Sequence, residues 1–301
     1  MIIPKAWLPT LIAWVCCFET VDAQPHPLNQ LGRAVFDSFR NKDFATFHKH
    51  SVFSFGEDEF ETFLRGMRND ALRADLRGEN EEAWDIAFAK NWRKHWLHVA
   101  RHTRSRVRGQ AFDPIQRAAE GEGIQWETTK LTGIEVLLPV TIKQKRFEVK
   151  RDTFESSTGD ARTLWLDRGL VYRLRLDPST HGNAFMIGLD AEDSKKRYDK
   201  GIRRNGAGAG DIILNFNNSS PSDLFYFCPD QKGIGGSIRV TNPDDLNKPN
   251  QRLDLLLTFN FGRPTRTYQI LVRETLSTPS GPRFFERPKW LGETLPIVGL
   301  E

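Results

Sequence analysis

Leu170-Val171-Tyr172-Arg173-Leu174-Arg175-Leu176 is the stretch on which the fold turns. Successive side chains in a strand point to opposite faces, so Tyr172, Leu174 and Leu176 share one side while Val171, Arg173 and Arg175 share the other. One dry face and one wet face is the pattern of an antiparallel sheet laid on helices. Asp167-Arg168-Gly169 before the stretch and Pro178-Ser179-Thr180-His181-Gly182 after it carry turn chemistry.

Downstream the same period continues. Strands are expected over 184–189, 211–216, 224–228, 237–241, 253–261, 268–275 and 283–286, and the tail around Trp290 is expected to dock. Upstream, strands are expected over 126–138, 146–154 and 162–166. Before residue 124 the period is helical. Leu31, Val35, Phe36, Phe39, Phe44 and Phe47 line one side of residues 28–48, with Asp43 placed to start a second short turn. A helix is expected from Gly56 through Met67. A long one over 81–107 carries the stripe Trp84, Phe88, Trp92 and Trp96, and a short one starts at Asp113-Pro114. The fold class these elements imply is α+β: N-terminal helices packed on a curved antiparallel sheet, then an all-β C-terminal region.

Length and composition narrow the class. The chain has 301 residues, 43 Lys+Arg against 39 Asp+Glu, and 39% hydrophobic residues, enough for a substantial core and against wholesale disorder. Lys5, an apolar run from Ala6 to Phe18 and Val21-Asp22-Ala23 form a secretory signal over 1–23. That run is shorter than the roughly 20 residues a spanning helix needs. Cleavage is expected before Gln24, with a retained anchor as the alternative. Removal would take Cys16 and Cys17 with it and leave Cys228, so no internal disulfide is possible and a bacterial-type export (periplasmic or secreted) is expected. Cys228, within Leu224-Phe225-Tyr226-Phe227-Cys228, reads as a buried inert thiol. The mature chain divides into 24–200, a glycine-rich linker at 201–210 containing Gly206-Ala207-Gly208-Ala209-Gly210, and a β-rich part at 211–301. These glycines precede a strand and do not form a nucleotide-binding fingerprint.

The order of elements, from a helix ending in Asn41-Lys42-Asp43-Phe44, through Gly123-Ile124-Gln125-Trp126, to strands closing in Leu170–Leu176, resembles the NTF2-like (cystatin-like, SnoaL-type) α+β superfamily over residues 28–190. That resemblance implies a curved antiparallel sheet wrapped on a long helix with a pocket between them. It implies no particular function, because members include isomerases, dehydratases, hydrolases and non-catalytic proteins.

Two clusters carry candidate chemistry. His95, His98 and His102 fall within about 60° of arc on the long helix and could hold zinc or copper. Arg93, Lys94, Arg101 and Arg104 around them would repel a cation, and no carboxylate or Cys completes the set. Arg93, Arg101 and Arg104 are candidates for binding an anion or an acidic partner; export argues against nucleic acid. His48 and His50 form a lesser pair. Asp190, Glu192, Asp193 and Asp199 among Lys195, Lys196 and Arg197 lack calcium-loop spacing and read as a solvated charged stretch. There is no Gly-x-Ser-x-Gly elbow. The expectation is an exported, non-catalytic binding or interaction module using a concave sheet pocket for a small ligand or an envelope protein, with no cofactor and no membrane span after cleavage. The alternative is a secreted hydrolase or isomerase with a pocket or His-cluster site, zinc-dependent if the three histidines bind metal.

Overall fold

The computed structural model describes residues 25–54, 56, 59, 107–143, 146–149, 152–153, 163–191, 193–245, 251–262, 266–276, 278, 281–284 and 287–294. Helix α1 (Pro27–Arg40) begins at a proline, which has no N–H to leave unpaired. The His26 imidazole caps it by accepting the Leu28 N–H at 3.1 Å. Asp43 starts α2 (Phe44–Lys49), its carboxylate accepting the Thr46 N–H at 3.1 Å and the Thr46 hydroxyl at 2.6 Å. Those bonds hold the Asp43 carboxyl below its usual range. A π-helical turn, Arg108–Phe112, runs into α3 (Asp113–Gly121). The expected helices over 56–67 and 81–107 lie almost wholly outside the described residues.

Among the described residues, fourteen strands form two sheets. They are β1 (Lys130–Lys143), β2 (Arg146–Val149), β3 (Asp152–Thr153), β4 (Thr163–Asp167), β5 (Val171–Leu176), β6 (Met186–Gly188), β7 (Ile202–Arg203), β8 (Gly210–Asn215), β9 (Asp223–Cys228), β10 (Gln231–Thr241), β11 (Gln251–Asn260), β12 (Thr267–Leu276), β13 (Arg283–Phe284) and β14 (Lys289–Thr294). The larger sheet runs β13-β12-β11-β1-β5-β8-β7, with β14 on β12, β2 on β1 and β3 on β11; the smaller runs β4-β10-β9-β6.

The architecture is therefore α+β, but both sheets are mixed. β1 pairs with β5 in parallel, and so does β10 with β4. Alternation alone predicts an all-antiparallel sheet, because it reports the buried face and is blind to strand direction. Asp167-Arg168-Gly169 does turn the chain, yet it leads from β4 in one sheet to β5 in the other. Strands of 24–200 and of 211–301 also share both sheets: β8 pairs β5, β11 pairs β1 and β10 pairs β4. Within 201–210, whose glycines suggest a linker, Ile202 is a buried strand residue and Asn205 is buried as well.

Helix α1 lies on the larger sheet. A methyl group added at Gly32 would sit 2.9 Å from Ile134 Cγ2 and 3.0 Å from Leu257 Cδ2, so the glycine lets the helix approach β1 and β11. Phe36, Phe39, Trp126 and Phe259, all buried, form the aromatic centre; the Phe39 and Trp126 rings stack 5.9 Å apart and Trp126 and Phe259 5.5 Å apart. On β5 the dry face holds: Tyr172, Leu174 and Leu176 are buried. The other face is not simply wet. Arg173, its side chain 11% exposed, reaches Glu135 at 2.5 Å and Asp211 at 2.7 Å, bridging β1, β5 and β8. Burial works against its charge, but the bonds to the two carboxylates prevail and raise its pKa above the ordinary value.

Candidate functional site

His95, His98, His102, Arg93, Arg101 and Arg104 lie outside the described residues. His48 and His50 close α2. The His48 ring packs 5.7 Å from that of Phe44. Burial, then the charges of Arg283 and Lys49, hold the His50 imidazole below the usual histidine range. The acidic stretch is internally satisfied where it is described: Lys196 Nζ donates to Asp190 at 2.9 Å, Arg197 Nε to Asp199 at 2.6 Å, and Asp193 accepts the Lys195 N–H at 2.9 Å.

A His–Asp pair does occur, and it tests the catalytic alternative. His26 Nε2 lies 3.2 Å from Asp167 Oδ2, and both groups are largely buried. A general base needs its second ring nitrogen free to take a proton from a nucleophile or water. Here Nδ1 accepts the Leu28 N–H, which places the proton on Nε2, facing Asp167. Asp167 Oδ1 also accepts the Thr241 hydroxyl at 2.9 Å, and its backbone N–H reaches Tyr172 Oη at 2.6 Å. Arg168 beside it donates to the carbonyls of Val240 and Ser220 at 2.8 and 2.9 Å. Together these bonds tie α1, β4, β5 and β10 to one another. The pair is an anchor of the fold.

The concave feature is elsewhere, on the smaller sheet. A cleft of about 370 Å³ opens between the β9–β10 hairpin and the segment that follows β6. Phe225, Phe227 and Ile234 supply apolar lining, Ala191 and Ser194 stand on the opposite side, and Lys232 is the charged side chain among the described lining residues. The hairpin makes room through a bulge. Gln231 pairs with Cys228 but Gly235 pairs with Phe227, so Lys232, Gly233 and Ile234 leave the ladder. Gly235 is indispensable to that path, because a Cβ there would lie 2.2 Å from the Tyr226 carbonyl oxygen. Cys228 at the cleft edge is a free, buried thiol, as its apolar setting predicts.

The Asn205 side chain ties the opposite wall together. Asn205 Oδ1 accepts the Ile187 N–H at 2.7 Å while Nδ2 donates to the carbonyls of Ile187 and Tyr198, each at 2.9 Å. That clamp and the Leu189 N–H to Lys196 O bond at 2.9 Å shape the segment over the cleft. Leu189, 49% exposed, stands next to it as an exposed large hydrophobic residue.

Sequence reasoning does not single out this cleft. A signal is present: Gly233, Gly235 and Gly236 crowd a stretch just ahead of a strand expected only over 237–241, and glycine in a strand marks a bulge or close approach. Among the described residues no group of three or more His, Cys, Asp or Glu side chains could hold a metal ion, and no helix is long and apolar enough to cross a membrane.

No family model and no curated protein matches the chain. Among solved structures, rusticyanin aligns over 44% of this chain and 94% of its own, at 15% identity and a TM-score of 0.23. A likeness that slight transfers neither fold nor function.

Proposed function

We propose that this chain is an exported, non-catalytic binding protein that holds a small, largely apolar molecule in the cleft beside β9 and β10. The observation that carries the reading is the cleft itself: about 370 Å³, aromatic and aliphatic on one side, with Lys232 the one charged side chain among its described lining residues. That is the size of small-ligand sites, with an aromatic and aliphatic surface available beside polar groups that could orient a ligand. Acid–base chemistry usually draws on a carboxylate or an imidazole, and the described lining residues include neither. The site so chosen lies on the smaller sheet, whereas the sequence pointed to a concave sheet within 24–200. Of the cystatin-like plan we keep the helix laid on a sheet, supported by α1 against β1 and β11.

The test is direct. N-phenyl-1-naphthylamine, a neutral apolar fluorophore, is expected to bind the protein saturably and one to one. Ser194→Trp should weaken that binding at least tenfold by filling the cleft, which corresponds to about 1.4 kcal/mol. Ser194 is exposed on a short 3₁₀ turn, so the substitution leaves the core alone. No saturable binding, or equal affinity in the variant, would refute the reading. Export rests on the 1–23 signal pattern; a mature chain isolated from cells should begin at Gln24, and a mass that retains Met1 would count against it.

A further inference from the structure

The cleft carries an asymmetry that bears on what it selects. Lys232 is its charged lining residue, carried on the bulge and exposed. It forms no ion pair among the described residues. On the opposite wall, among the described residues, Asp190 holds Lys196 and Asp193 accepts the Lys195 N–H. An ammonium at the edge of a hollow with one aromatic side favours an anion whose remaining surface is apolar, because the body is desolvated by the aromatic side while the charge stays near water and a counter-charge.

Resting on the cleft reading above, we propose that the ligand class is a monoanionic amphiphile, a carboxylate joined to a flat or slender apolar body, with Lys232 as its specificity-determining residue. Phe225 and Phe227 would meet the apolar body, and the Lys232 ammonium would meet the carboxylate. A neutral molecule of the same shape keeps the first contact and loses the second, so the two contributions separate cleanly.

Calorimetric titration with naphthalene-2-carboxylate and naphthalene-2-methanol makes the comparison, using the full chain, Lys232→Ala and Lys232→Arg. The carboxylate should bind the unaltered protein roughly two- to fivefold more tightly than the alcohol, the range of an exposed charge pair. The gap should close in Lys232→Ala, persist in Lys232→Arg, and shrink at high salt through screening. Equal binding of the two compounds, or a gap that survives Lys232→Ala, overturns the anion selectivity while leaving the cleft as a binding site. Failure of both compounds to bind the unaltered protein overturns the selectivity and the cleft reading together.

Discussion

Asn205 shows how much one side chain can hold. Its amide satisfies both backbone groups of Ile187 and the Tyr198 carbonyl, and it is 6% exposed. Replacing it by Asp keeps the shape and removes both donors: the Tyr198 carbonyl loses the amide, the Ile187 carbonyl keeps only the Tyr198 N–H at 3.0 Å, and the Asp199 carboxylate meets a second carboxylate. Asn205→Asp should cost about 2 kcal/mol, since a buried group stripped of its partner costs roughly 1–3 kcal/mol; urea unfolding at neutral pH would measure it, and an unchanged midpoint would remove Asn205 from the role of clamp. No sequence feature marks this residue, because Asn205-Gly206 is indistinguishable from an ordinary turn until Ile187 is brought beside it. His26 teaches the reverse lesson. A buried histidine on an aspartate looks catalytic by residue type, and only the Leu28 N–H on its other nitrogen reveals a structural role.

At the level of elements, α1 is legible in the sequence and its contact is not. Leu31, Val35, Phe36 and Phe39 repeat at helical spacing and all are buried. That Gly32 is the contact point with β1 and β11 depends on where the helix crosses the sheet. Alanine is ordinarily worth about 1 kcal/mol over glycine inside a helix, whereas overpacking costs roughly 1–3 kcal/mol. With a new methyl 2.9 Å from a branched Ile134 carbon, overpacking should win, so Gly32→Ala is expected to lower stability by about 1 kcal/mol net. Thermal melting would settle the sign, and a rise in Tm would mean that the helix–sheet contact is looser than its geometry. Strand positions are likewise readable, from alternation over β5 and from apolar runs over β9 and β11. The two-residue β7 is not, since two residues carry no period, and β14 is foreseeable only as a docking tail.

For the whole molecule, the decisive feature is that late strands complete early sheets. Cut away from the rest, residues 211–301 would leave β8 without β5, β10 without β4 and β11 without β1. Exposed edges and the apolar side of β11, where Leu255, Leu257 and Phe259 are fully buried in the intact chain, would then face water. The isolated segment should show no cooperative unfolding transition by circular dichroism, and a sigmoidal melt of residues 211–301 alone would contradict this. The amino-acid sequence by itself determined which residues are apolar, at what period, and hence which stretches are helix or strand and which faces are buried, because those are local properties of spacing and side-chain chemistry. Strand partners, parallel pairing, the bulge that opens the cleft and the clamp that walls it were decided only in three dimensions. Each depends on residues distant in the chain meeting at hydrogen-bonding range, and local periodicity holds no information about who meets whom.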